Sequence, residues 1–393
     1  MNTILSPILV QRFQALQGEL MPEVAGELGG LSAKLEQVIR VLEWSRIESL
    51  VHCYDSGPGQ PQADRCALAS AFIAKAVLGL GTTRALIERL QIDGKLRRIC
   101  GFNMHRSLPS EATFSRAFDE FARSELAARA HEQMIKASLG ECLIGHVSRD
   151  ATAIEARERV APPPAGVQSP VLPPLLPEAP IPAPEQTSAP QQSAKPKRGR
   201  PRKGEQRAAA PKTASPLERQ STQNLSQMLA ELPQTCSVGT KLNAKGYKTS
   251  WRGYKLHLDT ACCGVIISAV LTGAAVHDSR VALPLSIMSS QRVQALYELM
   301  DAAYCSGVIR GFVSSQGRIP LIDHNPRSGE KIEFAPHEAQ RYKTRSGAER
   351  ANARLKDEFG ARNVQVRGAS KVMSHLMFGV VALCADQLMR LLR

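Results

Sequence analysis

Residues 142–156 read CLIGHVSRDATAIEA, an apolar run that ends in a polar edge carrying Asp150. The composition predicts a strand with Asp150 at its polar edge. Downstream, YKLHLDTA (254–261) and GVIISAVLTGA (264–274) read as paired strands, with Cys262, Cys263 and Gly264 at the turn between them. A helix is predicted from Ser279 to about Ser290. ALYELMDAAYCS (295–306) puts Asp301 near the end of another strand. A short helix near 305–316, a short buried strand at RIPLID (318–323), and helices near 346–359 and 369–392 complete the pattern.

Upstream the periodicity is helical. Leu31, Leu35, Val38, Ile39 and Leu42 recur at helical spacing, and residues 63–90 continue it. Ser110 follows Pro109 and is placed to cap a further helix. These signals predict an all-helical N-terminal domain over 1–140, read as DNA-binding. A helix-turn-helix across Ile99 to Ser110 and an ordinary bundle both remain open, because that motif has no strict sequence rule. Residues 141–160 hold the first strand. The next stretch, 161–190, contains eleven prolines, which cannot continue a helix or sheet. Residues 161–236 are therefore expected to be a disordered Pro-rich and basic linker, and 237–393 the remainder of the sheet domain. With the linker cut out, the element order is β(Asp150)–β–β–α–β(Asp301)–α–β–α. This predicts an α/β architecture, a mixed sheet flanked by helices. The order resembles the ribonuclease-H-like fold, in which the first and fourth strands lie side by side. Asp150 and Asp301 would then meet although 151 residues separate them.

The charge indicates the partner. The formal net charge is +14, and 43% of the residues are hydrophobic, enough for a substantial core. Residues 193–220 hold nine Lys/Arg and two Glu, a net +7, half of the excess. A basic tail has this composition, and so does an electrostatic footprint for nucleic acid. The sequence has no run of 18 apolar residues and no export-signal pattern at its start, so a cytosolic location with no membrane partner is expected. The nine cysteines are scattered without a CxxC pair, which predicts reduced thiols and no zinc clip.

The acidic candidates gain weight from a third segment. Residues 342–356 read YKTRSGAERANARLK. On one helix, Tyr342, Arg345, Glu349 and Lys356 fall within an arc of roughly 60°. Ala348, Ala351, Leu355 and Phe359 form a neighbouring apolar stripe. Two readings compete: a functional face, or a capping box in which Glu349 bonds the backbone of Ser346. Asp278, in VHDS, rivals Asp301 as the second carboxylate. Asp301 is preferred because a strand precedes it, and Asp278 is expected to cap the helix starting near Ser279.

The segment resembles the Tyr-(2)-Arg-(3)-Glu-(6)-Lys signature of bacterial insertion-sequence transposases with a DDE active site. SRDATAIEA is similar to that group's first-aspartate strand, and GYKLHLDT with AAVHDS to the block ahead of the second. The resemblance implies DNA cleavage and strand transfer with Asp150, Asp301 and Glu349 as catalytic carboxylates. They would hold two Mg²⁺ ions about 3.5–4 Å apart, with Mn²⁺ able to substitute. It implies that Arg345 and Lys356 grip backbone phosphates and that Tyr342 supports the same DNA strand. It also implies double-stranded DNA partners (terminal inverted repeats and target) and a homodimer on paired ends. A transposase-derived DNA-binding protein without activity is the alternative.

Outside the signature, Lys197, Arg198, Gly199, Arg200, Pro201, Arg202 and Lys203 contain the Arg-Gly-Arg-Pro core of an AT-hook. Such a segment fits a narrow A·T minor groove, and a generic basic linker is the competing reading. Trp251 is a candidate for stacking on a base, with ordinary packing the weightier expectation. His257 and His277 are expected to serve core or surface packing.

Overall fold

The computed structural model describes residues 30–52, 62–160, 214–242, 246–326 and 330–391. The AT-hook-like segment 197–203 and residues 161–213 of the expected linker lie outside the described residues. Among the described residues six α-helices come first: α1 (Ala33–Ser45), α2 (Arg65–Val77), α3 (Thr83–Ile92), α4 (Gly94–Ile99), α5 (Glu111–Arg123) and α6 (Leu126–Leu139). Short polar side chains start most of them. Ser32, Asp64, Thr82, Asp93 and Ser110 each accept a first-turn backbone N–H, the capping that leaves fewest donors unsatisfied.

Strand β1 (Leu143–Glu155) follows, then two short helices, α7 (Pro216–Gln220) and α8 (Leu225–Ala230). These two fall inside the stretch expected to be linker. Met228 of α8 is buried with Leu283 and Ile309, so apolar docking orders residues whose local composition is polar. Next come β2 (Ser237–Leu242), β3 (Lys248–Ala261), β4 (Ile266–Gly273), α9 (Ala282–Ser290), β5 (Gln294–Met300), α10 (Gly307–Ser315), β6 (Ile319–Ile322), α11 (Pro336–Tyr342), α12 (Ser346–Glu358) and α13 (Ala369–Leu391).

The sheet runs β2–β3–β1–β5–β6, with β4 also on β3. β3 is antiparallel to β1, β2 and β4, whereas β1, β5 and β6 are parallel. This is a mixed sheet flanked by helices, with the ribonuclease-H-like strand order. The expected adjacency of the first strand and the strand before Asp301 is observed. β2 and the first part of β3 were not expected. They form a hairpin beyond the point where β1 pairing ends, exposed along most of its length, so it lacks the one-sided apolar alternation that marks a strand. Gly253 sits where β1, β2 and β3 converge. Its φ is +149°, and a Cβ there would stand 2.2 Å from the Ile154 carbonyl oxygen, so only glycine fits.

The N-terminal helices do not stand apart as a domain. They share one compact unit and one continuous core with the sheet. α13 is the reason: it touches α1, α2, α5, α6, α12 and β4. It is long and apolar enough to cross a membrane by length and composition, yet 78% of its apolar window is buried inside the protein. A helix apolar on all faces requires cover on all faces, and the N-terminal helices supply it. Phe378 of α13 meets Phe72 and Phe118 at ring-centroid distances of 5.7 and 6.1 Å, in the range where aromatic pairs add about 0.5–1.5 kcal/mol each beyond area burial.

Candidate active site

The parallel register of β1 and β5 pairs Ser148 with Leu299. Carried two residues further, it sets Asp150 across from Asp301, just past the end of β5. The second aspartate caps the 3-10 turn Ala302–Tyr304 and accepts the Ala303 N–H at 3.0 Å. Side chains alternate along a strand, so Ser148 and Asp150 share one sheet face and Arg149 takes the other. α12 lies on the Asp150 face. Asn352 Nδ2 donates to Asp150 Oδ2 at 2.8 Å, and Arg345 Nη1 lies 3.4 Å from Asp150 Oδ1. The same guanidinium reaches Glu349 Oε1 through Nη2 at 2.8 Å. Arg345 therefore stands between the first and third carboxylates of the predicted set.

The electrostatics follow from burial. Burial pushes the Asp150 carboxyl above its usual range. Arg345 and Asn352 pull it down, and Asp301 adds to the rise. Burial likewise raises Asp301, where the Ala303 N–H opposes and Asp278 reinforces the shift. Two neighbouring carboxylates, partly removed from water, each disfavour the other's charge. Glu349 is different, with 57% of its side chain exposed. Among the described residues no three His, Cys, Asp or Glu side chains are gathered as a ready metal cage. The donor chemistry nevertheless fits a hard divalent cation. All three candidates are carboxylates, and the buried Tyr304 hydroxyl beside Asp278, Asp301 and Asp150 has no hydrogen-bond partner.

The capping-box alternative is not realised. α12 continues from the 3-10 turn Lys343–Arg345, its first residue has no side-chain cap, and Glu349 bonds Arg345 instead. Tyr342 Oη donates to the Met300 carbonyl at 3.1 Å. It thus holds the residue before Asp301 rather than projecting outward. Lys356 is half-buried; burial, together with Arg362 and Lys241, lowers its proton affinity, and Glu155 opposes this. Asp278 does not cap the following turn: His277 Nδ1 does, while Asp278 accepts from Lys255 Nζ at 2.8 Å. His257 is fully buried and bonded to Thr272. Trp251 packs over Gly239, where an added Cβ would lie 2.4 Å from the indole, and donates to the Tyr254 carbonyl at 3.0 Å.

Two features are missing from the sequence-based expectations. Asn352 was legible in principle, because it sits three residues after Glu349 on the same helix face. The second is a buried ionic network on the opposite sheet face. Arg149, 1% exposed, makes paired 2.8 Å bonds to Asp259 and lies 3.3 Å from Glu298. Glu298 also pairs with Arg318 and accepts from Ser286 Oγ at 2.7 Å, and Ser289 Oγ donates to Asp259 at 2.7 Å. This network ties β1, β3 and β5 together one residue from Asp150.

A ribonuclease-H-like sheet with two aspartates meeting at the ends of parallel strands, and a glutamate helix across them, defines the DDE class of DNA-processing enzymes. Family comparison agrees over most of the described chain. A model described as a transposase domain (DUF772) matches residues 27–120, and one described as a transposase DDE domain matches residues 230–385. The chain belongs to the insertion-sequence DDE transposases and functions in DNA transposition. No curated protein and no solved structure gives a match.

Proposed function

We propose that the protein cuts the ends of its own element and joins them to target DNA with Asp150, Asp301 and Glu349 as the catalytic, metal-holding carboxylates. The observation that carries this reading is the meeting of Asp150 and Asp301 across adjacent parallel strands, with Arg345 of the signature bound to Asp150. The carboxylates would hold two Mg²⁺ ions, or Mn²⁺ in their place. Bound there, the ions supply an activated oxygen nucleophile and charge neutralisation at the scissile phosphate.

The chain's own groups do the remaining work. Asn352 orients Asp150 through its 2.8 Å bond. Arg345, held by Asp150 and Glu349, is placed to grip the non-bridging oxygens of a phosphate. Tyr342 acts by positioning, through the Met300 carbonyl next to Asp301. Lys356, farther along α12, contacts the backbone of the same strand. The substrate is double-stranded DNA, the terminal inverted repeats and then the target, held by a homodimer in the bacterial cytoplasm at the nucleoid. Incubating the protein with its terminal repeats and Mg²⁺ or Mn²⁺ is expected to produce a nick at the repeat end, with none in chelator. Equal nicking of unrelated DNA would indicate a general nuclease instead.

The basic segment adds a second DNA contact. Lys197, Arg198, Arg200, Arg202 and Lys203 are read as an AT-hook that follows an A·T-rich minor groove. Changing Arg198→Ala with Arg200→Ala is expected to weaken binding to A·T-rich duplex about tenfold more than to G·C-rich duplex, on the scale of one or two groove hydrogen bonds. A gel-shift titration with equal weakening on both duplexes would leave only a polycation.

A further inference from the structure

Beside the carboxylates a cleft of about 510 Å³ opens between the start of β1 and the first turns of α12. Its walls include His146, Ser148, Lys343, Thr344, Ser346 and Arg350, and no carboxylate lines it. Lys343 and Arg350 are exposed. The Thr344 hydroxyl donates to the Arg341 carbonyl at 2.6 Å, so its 3.1 Å contact with His146 Nε2 is donated by the ring. Burial, together with the nearby Arg341, holds the imidazole's pKa below the usual value. Its permanently charged walls are Lys343 and Arg350.

The floor supplies an independent signal. Ser148 lines the cleft, is 2% exposed, and its buried Oγ has no hydrogen-bond partner. An unpartnered buried hydroxyl is destabilising. An acceptor entering the cleft would remove that cost. A buried donor and two cations with no competing anion describe a seat for an anionic oxygen group. Its address is specific. Ser148 and Asp150 share a face of β1 and stand two residues apart, about 6.6 Å along the strand, while Arg350 is the next residue after Glu349. A DNA strand advances about 3.4 Å per nucleotide along the duplex axis, so the spacing corresponds to one or two nucleotides.

We infer that this cleft seats a backbone phosphate of the cleaved DNA strand, one or two nucleotides from the scissile bond. Lys343 and Arg350 form its cationic clamp and Ser148 its buried donor. The inference rests on the reading of Asp150 as the cutting site. The subsite would fix where the strand lies before any ion or nucleophile acts, so its test is a binding measurement.

The full chain is titrated with a duplex of the element's end in chelator, across a range of salt. The exposed pair Lys343→Ala with Arg350→Ala should bind at least about tenfold more weakly, with a salt slope smaller by about 0.9, the change for one phosphate no longer neutralised. Ser148→Ala should lose affinity, about three- to tenfold, with the slope unchanged, because it removes a neutral donor. Duplexes with a single methylphosphonate at successive positions then locate the seated phosphate. The unaltered protein should lose affinity at one position one or two nucleotides from the cut, and the double variant should be indifferent there. Unchanged affinity and slope in the double variant, or an unchanged pattern of methylphosphonate sensitivity, overturns the subsite. If Asp150→Ala has meanwhile abolished nicking, the proposed function survives that result. Normal nicking by Asp150→Ala removes both.

Discussion

Asp150→Ala, Asp301→Ala and Glu349→Ala are each expected to reduce nicking of the terminal repeats by about three orders of magnitude or more, while DNA binding in chelator is kept. Catalytic groups that act as a unit behave this way: removing one costs nearly as much as removing all. Asp150 and Asp301 meet across parallel strands and share a partly desolvated patch that raises both carboxyls. Alanine at either position leaves the partner carboxylate without its companion donor. Glu349 enters from α12 and is linked to Asp150 through Arg345. Its loss should therefore leave the sheet unperturbed while emptying one third of the donor set. Nicking within about tenfold of the unaltered protein in any one variant would remove that residue from the mechanism. Asp278→Ala provides the internal comparison. It lies near Asp301 but is paired with Lys255, so its effect should be smaller by at least an order of magnitude.

Arg149→Met is expected to lower the stability of the fold by about 3–5 kcal/mol, the usual result of breaking a buried ion pair on one side. Asp259 and Glu298 are both buried and would be left facing each other without their shared guanidinium. Arg149→Lys should recover little. One ammonium cannot reproduce the paired bonds to Asp259 together with the 2.9 Å donation to the Ala282 carbonyl. Urea unfolding followed by circular dichroism measures this directly. A loss below about 1 kcal/mol would mean that the network does not bind the three central strands together. Because Arg149 precedes Asp150 on β1, any variant that still folds should also nick more slowly.

The legible part of the fold was the part with one-sided or continuous apolar patterning. β4, β5 and β6 are short, largely apolar runs, and β1 begins as one and ends polar; the burial they require is written into their composition. The Tyr342–Lys356 spacing was likewise visible, but not as one helix: Tyr342 ends α11, Arg345 lies in a 3-10 turn, and only Glu349 and Lys356 belong to α12. The β2–β3 hairpin was not visible, since most of its residues are exposed and it carries no burial pattern. α7 and α8 were missed because five or six residues cannot hold a helix alone; their order comes from docking on the α9 side of the core.

By itself the sequence determined the apolar strands of the sheet and its longer helices, the order of elements that brings two distant aspartates to neighbouring strands, and the helix that carries Glu349. Only the tertiary structure decided which charges pair. Glu349 binds Arg345 rather than the Ser346 backbone, Asp278 binds Lys255, and Arg149 turns away from the site into a buried network. It also decided that the N-terminal helices and the sheet share a core around α13. The physical reason is range. Periodicity and capping act within a few residues of chain, whereas ion-pair choice and the cover of an all-apolar helix depend on partners far away in the sequence.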